Sequence, residues 1–187
     1  MNFLEKKLLI DSNSYFRLAQ SLHPLLNSTF GKDYYCIYIL KECDQEYNEN
    51  QALQNKFSWV NQNEYKNNRK KGLLDCSDLD DQIRNNIRFI KVYAQENYLN
   101  VSEVDIKYLA TALELDLILI TDDGDMIAIA KEFEIKVIKS LELLKLMFDC
   151  SCISIDMIKE ITQYWLYSKD TPKNFREDCL TLFSIKY

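Results

Sequence analysis

Apolar and polar positions along the chain follow two alternating rhythms. Lys6-Lys7-Leu8-Leu9-Ile10-Asp11 is a short apolar run that ends on an acid and meets Ser12-Asn13-Ser14, the way a buried strand gives way to a capped helix. Tyr15, Phe16, Leu18, Ala19 and Leu22 then mark one helical face, which His23-Pro24 ends. Tyr34 to Leu40 is aromatic and β-branched and predicts a second strand, running into Glu42 and a polar helical continuation through Leu53, Phe57 and Trp59. Residues 61–71 show no apolar period and read as an exposed loop or helix tip. From Ser77 a helix is expected, with Asp78 and Asp80 in its first turn and Ile83, Ile87, Ile90 and Tyr93-Ala94 on its face.

The second half is clearer. Ser102 caps a helix with the face Ile106, Leu109, Ala110 and Leu113, an i, i+3, i+4, i+7 set. Leu117 to Thr121 is a buried strand, Asp122-Asp123-Gly124-Asp125 a turn, and Met126, Ile127, Ile129 and Ala130 a helix. Ile135 to Ile138 is a further strand, and Ser140 caps a helix through Leu141, Leu144 and Phe148. Strands alternating with helices predict a parallel sheet with helices on both faces. A last amphipathic helix, with Ile155, Ile158, Ile161, Trp165 and Leu166, lies beyond the alternation. It either packs on the domain or offers a surface to a second copy or an inhibitor protein.

Composition narrows the picture. At 187 residues the chain fits one domain with an appendage, and 47% apolar residues suffice for a core. Three glycines and two prolines are too few for the turns of an all-β fold. The N-terminus carries an acid and no long apolar run, so neither a leader nor a membrane span is expected, and a cytoplasmic location follows. Six cysteines without a C-x-x-C pair, beside a single histidine, His23, read as reduced thiols rather than a zinc site. A net charge of −6 argues against coating nucleic acid by charge alone, but carboxylates gathered around a metal give the same sign.

Ligands of open parallel sheets gather at the carboxyl ends of the strands. Those ends carry acids here: Asp11 after the first strand, Glu42 after the second with Glu46 a rival one turn on, and Asp122, Asp123 and Asp125 after Thr121. Asp105, in the first turn of its helix, reaches the same edge. Each acid alone has an ordinary role as a cap or first-turn charge. Together they would repel unless protonated or bridged by cations, and hard oxygen donors select Mg²⁺ or Mn²⁺.

Leu9-Ile10-Asp11-Ser12-Asn13, Leu40-Lys41-Glu42, the stretch from Asp105-Ile106 through Leu109-Ala110-Thr111-Ala112, and Ile118 to Met126 resemble the four acidic motifs of PIN-domain nucleases. The resemblance covers about residues 6–148, with 57–100 fitting poorly. It implies a Rossmann-like α/β/α sandwich around a central parallel sheet, with residues 1–150 as the nuclease domain, a helical insertion at about 60–100, and 151–187 as a helical extension packed on the same domain. It further implies a divalent-metal-dependent endoribonuclease with Asp11, Glu42, Asp105 and Asp123 as catalytic carboxylates and metal ligands, Asp123 being favoured over Asp122 and Asp125 serving as an auxiliary ligand. Thr121 or Ser12 would add a hydrogen bond to the water shell. RNA is the implied substrate, with DNA as an alternative, and many compact members are toxins restrained by an antitoxin protein. The concentrated basic stretch Lys66, Arg69, Lys70 and Lys71, with Tyr65 beside it, is a candidate RNA contact. A non-catalytic binding module of the same fold is the competing reading; phosphotransfer fits less well, since Asn13 stands where a second aspartate would be needed.

Overall fold

A computed structural model of the chain describes residues 5–187; the first four residues of the N-terminal segment read as leaderless lie outside the described residues. Four strands, β1 (Lys6–Ile10), β2 (Tyr35–Tyr38), β3 (Ile118–Ile120) and β4 (Val137–Ile138), form a sheet in the order β2-β1-β3-β4. Every pairing is parallel, with Leu9 opposite Tyr38, Ile10 opposite Ile120, and Ile120 opposite Ile138. Parallel strands need crossovers, and helices supply them. They are α1 (Ser12–Leu18), α2 (Glu42–Glu49), α3 (Gln51–Lys56), α4 (Asn63–Lys71), α5 (Asp80–Glu96), α6 (Glu103–Glu114), α7 (Gly124–Glu132), α8 (Ser140–Asp149), α9 (Ile155–Ser168) and α10 (Phe175–Phe183). The expected fold class is the one observed, a central all-parallel sheet flanked by helices with extra helices in the middle and at the C-terminus.

The core is the sheet and the helix faces against it. Leu8, Leu9, Ile10, Ile37, Leu119 and Ile120 are buried, as continuous apolar runs covered on both faces must be. The strand order places β1 between β2 and β3, so the chain leaves β1 to one side and later returns to the other. The reversal opens a crevice between the carboxyl ends of β1 and β3, the location where ligands enter open α/β sheets.

Two segments differ from expectation. The polar stretch after Glu42 is not one helix: Asn50 is extended and caps α3 with its side chain, accepting from the amides of Ala52 and Leu53, so α2 and α3 are separate pieces. Residues 63–71, expected to be an exposed loop or tip, form α4, whose inner face is polar. Arg69 is 2% exposed, with Nε on Asp44 at 2.7 Å and Nη1 on the Val60 carbonyl at 3.0 Å. Asn68 pairs with both the amide and the carbonyl of Leu26, and Tyr65 packs between Trp59 and His23. Arg69 and Tyr65 are therefore not an RNA-contacting patch. Hydrophobic periodicity does not register a helix that docks through guanidinium and carboxamide groups.

The C-terminal segment lies on the domain. Ile158, Ile161 and Trp165 of α9 are buried, and the Trp165 indole N–H donates to the Arg17 carbonyl at 3.2 Å. Phe175 and Cys179 of α10 are buried as well, and α10 packs on α8. The outer face of α9 leaves Met157, Tyr164 and Tyr167 exposed. The described cysteines are all unpaired, and Cys36, Cys43 and Cys179 are buried. Among the described residues no helix is long and apolar enough to cross a membrane.

Candidate functional site

Asp11 occupies the crevice between β1 and β3. It is the N-cap of α1: its Oδ1 accepts from the Ser14 amide at 2.6 Å, while its Oδ2 accepts from the Thr121 hydroxyl at 2.5 Å. The carboxyl is 3% exposed, and burial pushes it up to about 7 against the opposing pull of these donors, with the negative charge of Asp122 adding to the rise. A carboxyl so placed strongly favours a proton or a cation over standing alone.

The end of β3 supplies the opposite side. Thr121 accepts the Asp123 amide at 3.1 Å while donating to Asp11, so one hydroxyl ties the two strand ends together. Asp123 caps α7, its Oδ1 accepting from the amides of Asp125 and Met126 at 2.9 and 2.8 Å, and the residue is exposed toward the cleft. Asp122 turns away from that role. Its carboxylate takes the Ser140 amide and hydroxyl and an ion pair with Arg17, which holds the starts of α7 and α8 together. Asp125 lies at the rim, accepting from the Asn100 amide at 2.9 Å.

The remaining acids divide. Glu42 ion-pairs with Lys107 at 2.6 Å beside Leu40, Cys76 and Asp80, in a separate hollow from the one that holds Asp11. Glu46, one turn further along α2, lies beside Ser12 and Asp105. Burial and the Asp105 charge raise its proton affinity, the nearby Ser12 hydroxyl opposes this, and its Oε2 is buried without a hydrogen-bond partner. Ser12 Oγ is likewise buried and unpartnered. Asp105 closes a capping box, accepting from the Ser102 amide at 2.8 Å while its own amide bonds Ser102 Oγ. The structure thus ties Asp11 and Asp123 together through Thr121 and sets Glu46 near Ser12 and Asp105, leaving Glu42 with a lysine.

Among the described residues no three of these groups form a ready-made cation cage. Mg²⁺ is commonly held by one or two carboxylates with its other positions filled by water, so a closed cage is not what such a site requires. The donor types fit that chemistry: hard carboxylate oxygens, one of them on Glu46 buried and unsatisfied, and on Asp11 a carboxyl that burial discourages from standing charged and alone.

In front of Asp11 opens a cleft of about 260 Å³. It is lined by Asp122, Asp123 and Arg17, by Lys56 at the end of α3 and Phe57 after it, and by the turn Asp170–Lys173 between α9 and α10. Arg17 also reaches Asp170 and lies over the Trp165 ring. Lys56, Asp170 and Lys173 gave no sequence signal, being isolated charges far from any motif.

No family model matches the sequence, and no curated protein matches it. Among solved structures it is similar to one described as the crystal structure of FitAcB from Neisseria gonorrhoeae, with 15% identical residues and a TM-score of 0.47, over 71% of this chain and 97% of that one.

Proposed function

We propose that this protein is a divalent-metal-dependent nuclease that hydrolyses RNA phosphodiester bonds at the carboxylate edge of its sheet. The observation that carries the reading is the placement of Asp11. It is a buried acid held by Ser14 and Thr121 at the point where the strand order reverses, with Asp123 tied to the same Thr121 and with Glu46, its Oε2 unpartnered, near Ser12. The sequence resemblance to PIN-domain nucleases supports the same chemistry at Asp11 and Asp123, and at Asp105, while the geometry favours Glu46 over Glu42 as the acid contributed by α2.

Asp11 and Asp123 would hold the cation, with Glu46 and Asp105 reaching it through water. Bound there, Mg²⁺ or Mn²⁺ supplies a water of lowered pKa and neutralises charge on the phosphodiester. The chain's own contribution is orientation. Thr121 and the Ser14 amide fix both oxygens of Asp11, the α7 amides fix one oxygen of Asp123, and Glu46 keeps a free oxygen to align the attacking water. Whether such an activity is restrained by an antitoxin-like inhibitor is part of the proposal, for which the exposed Met157, Tyr164 and Tyr167 on α9 supply a candidate surface.

The test is incubation of purified protein with single-stranded RNA and DNA in Mn²⁺ or EDTA, beside Asp11→Asn and Asp123→Asn. Cleavage of RNA by the parent alone, abolished by EDTA, is the expected result. Cleavage of DNA only would redirect the substrate. Full activity in EDTA or in either variant would overturn the reading, and Mn²⁺ calorimetry without heat at the acidic edge would favour a binding module.

A further inference from the structure

A protein with net charge −6 that acts on a polyanion needs local positive charge where the substrate lies; on α4 Arg69 is buried in ion pairing, and the exposed Lys66, Lys70 and Lys71 do not line the cleft that holds Asp11. The cleft in front of Asp11 provides it instead. Lys56, from the end of α3, and Lys173, from the turn before α10, line the same cleft as Asp11, Asp122 and Asp123, although 117 positions separate them in the chain. Their convergence has an evident cause. Asp170 accepts Lys56 Nζ at 2.9 Å and Arg17 Nη2 at 3.4 Å, and its carbonyl accepts Arg17 Nε at 3.2 Å. One aspartate therefore pins the C-terminal turn to α1 and α3 together. Lys169 before the turn and Asn174 after it both adopt left-handed backbone, which directs the chain into and out of the cleft. Lys173 itself has no ion pair among the described residues, despite four aspartates lining the same cleft, Asp11, Asp122, Asp123 and Asp170.

We propose that Lys56 and Lys173 form the phosphate-binding wall of this site, holding a phosphodiester group of the substrate chain next to the one that faces Asp11 and Asp123. Asp170 is a positioning residue that holds Lys56 and the turn carrying Lys173 at the cleft, and Arg17, largely buried between Asp122 and Asp170 where Lys56 stays half-exposed, braces the site rather than meeting the substrate. The proposal rests on the nuclease reading and deepens it, assigning to the C-terminal extension a role in the cleft. A lysine that loses its phosphate contact weakens binding for every sequence alike and lowers the salt dependence, by roughly 0.7 per contact for a single strand.

The experiment compares the parent with Lys56→Gln/Lys173→Gln, Lys173→Arg and, as a control outside the cleft, Lys131→Gln. Steady-state cleavage of a short single-stranded RNA in Mn²⁺ gives KM and kcat, and anisotropy of the labelled RNA on an Asp123→Asn background gives Kd at several salt concentrations. The double variant is expected to raise KM and Kd about tenfold, the loss of charged contacts being of that order. It should also flatten the salt slope, while Mn²⁺ affinity is kept; Lys173→Arg should stay near the parent. A parent that cleaves, with a double variant of unchanged Kd and salt slope, overturns this assignment and leaves the nuclease reading standing. An equal loss in Lys131→Gln overturns it as well. A parent that neither binds nor cleaves RNA or DNA overturns both.

Discussion

Replacing Asp11 by asparagine should make the metal-free protein more stable at neutral pH. Asp11 is buried, and its proton affinity in the fold is raised from the ordinary 3.8 to about 7. The folded chain therefore holds this proton more tightly than the unfolded chain. Between pH 3.8 and about 7 the native state binds more protons, so stability falls as pH rises through that window. Over the whole gap, at ~1.4 kcal/mol per tenfold, the loss is roughly 4 kcal/mol by pH 8. Asparagine removes the charge but not every contact. Its Oδ1 can still accept the Ser14 amide, while its Nδ2 meets Thr121 as a donor and leaves that hydroxyl, which already accepts the Asp123 amide, only the weakly accepting Met126 sulfur at 3.5 Å. That mismatch costs about 1–2 kcal/mol. Asp11→Asn is thus expected to be more stable than the parent by about 2–3 kcal/mol at pH 8, and no more stable at pH 4. Urea unfolding in EDTA at pH 4, 6 and 8 measures this as the difference between the two proteins, in which the titration of the other groups cancels. Parallel stability profiles for parent and variant would refute the idea that burial of this carboxylate opposes folding.

In the parent, saturating Mn²⁺ should raise the urea midpoint at pH 8, because a ligand of the native state stabilises it, and should do so far less in Asp11→Asn; equal shifts would place the ion elsewhere. Glu46→Gln should lower cleavage at least a hundredfold, whereas Glu42→Gln, which breaks only the pair with Lys107, should leave it within about threefold; the reverse order in a kcat/KM comparison would restore Glu42 to the site. Asp123→Ala should cost about 1 kcal/mol of stability through the lost α7 cap, while Asp123→Asn keeps the fold and loses activity, a contrast that unfolding and cleavage assays resolve together. Arg69→Met should cost about 2–3 kcal/mol in urea unfolding and Lys66→Ala less than about 0.5 kcal/mol, since Arg69 is buried between Asp44 and Val60 while Lys66 is exposed.

Particular residues explain what was legible. The strand Lys6–Ile10 ending on Asp11 and the helix capped by Ser102 stand in the sequence as local statements, since an apolar run and a capping box need nothing beyond their neighbours. The choice between Glu42 and Glu46 was not local. Four residues apart, they lie on one helix face a turn from each other, and only the positions of Lys107 and Ser12 separate their roles. The choice between Asp122 and Asp123 likewise turned on Arg17 and Ser140, which come from other elements.

By itself the sequence determined the alternation of strands and helices, and with it the parallel sheet and the row of acids at its carboxyl edge. Those features follow from periodicity and caps, which act over a few residues. Tertiary structure decided which acids come near one another, why α4 docks through Arg69 and Asn68 rather than an apolar stripe, and that Asp170 and Lys173 join Lys56 in lining the cleft that holds Asp11. Pairings of single charged side chains over more than a hundred positions leave no period in a sequence. They arise only when packing of the apolar faces has fixed the elements in place, so that Coulomb attraction over a few ångströms can select among them.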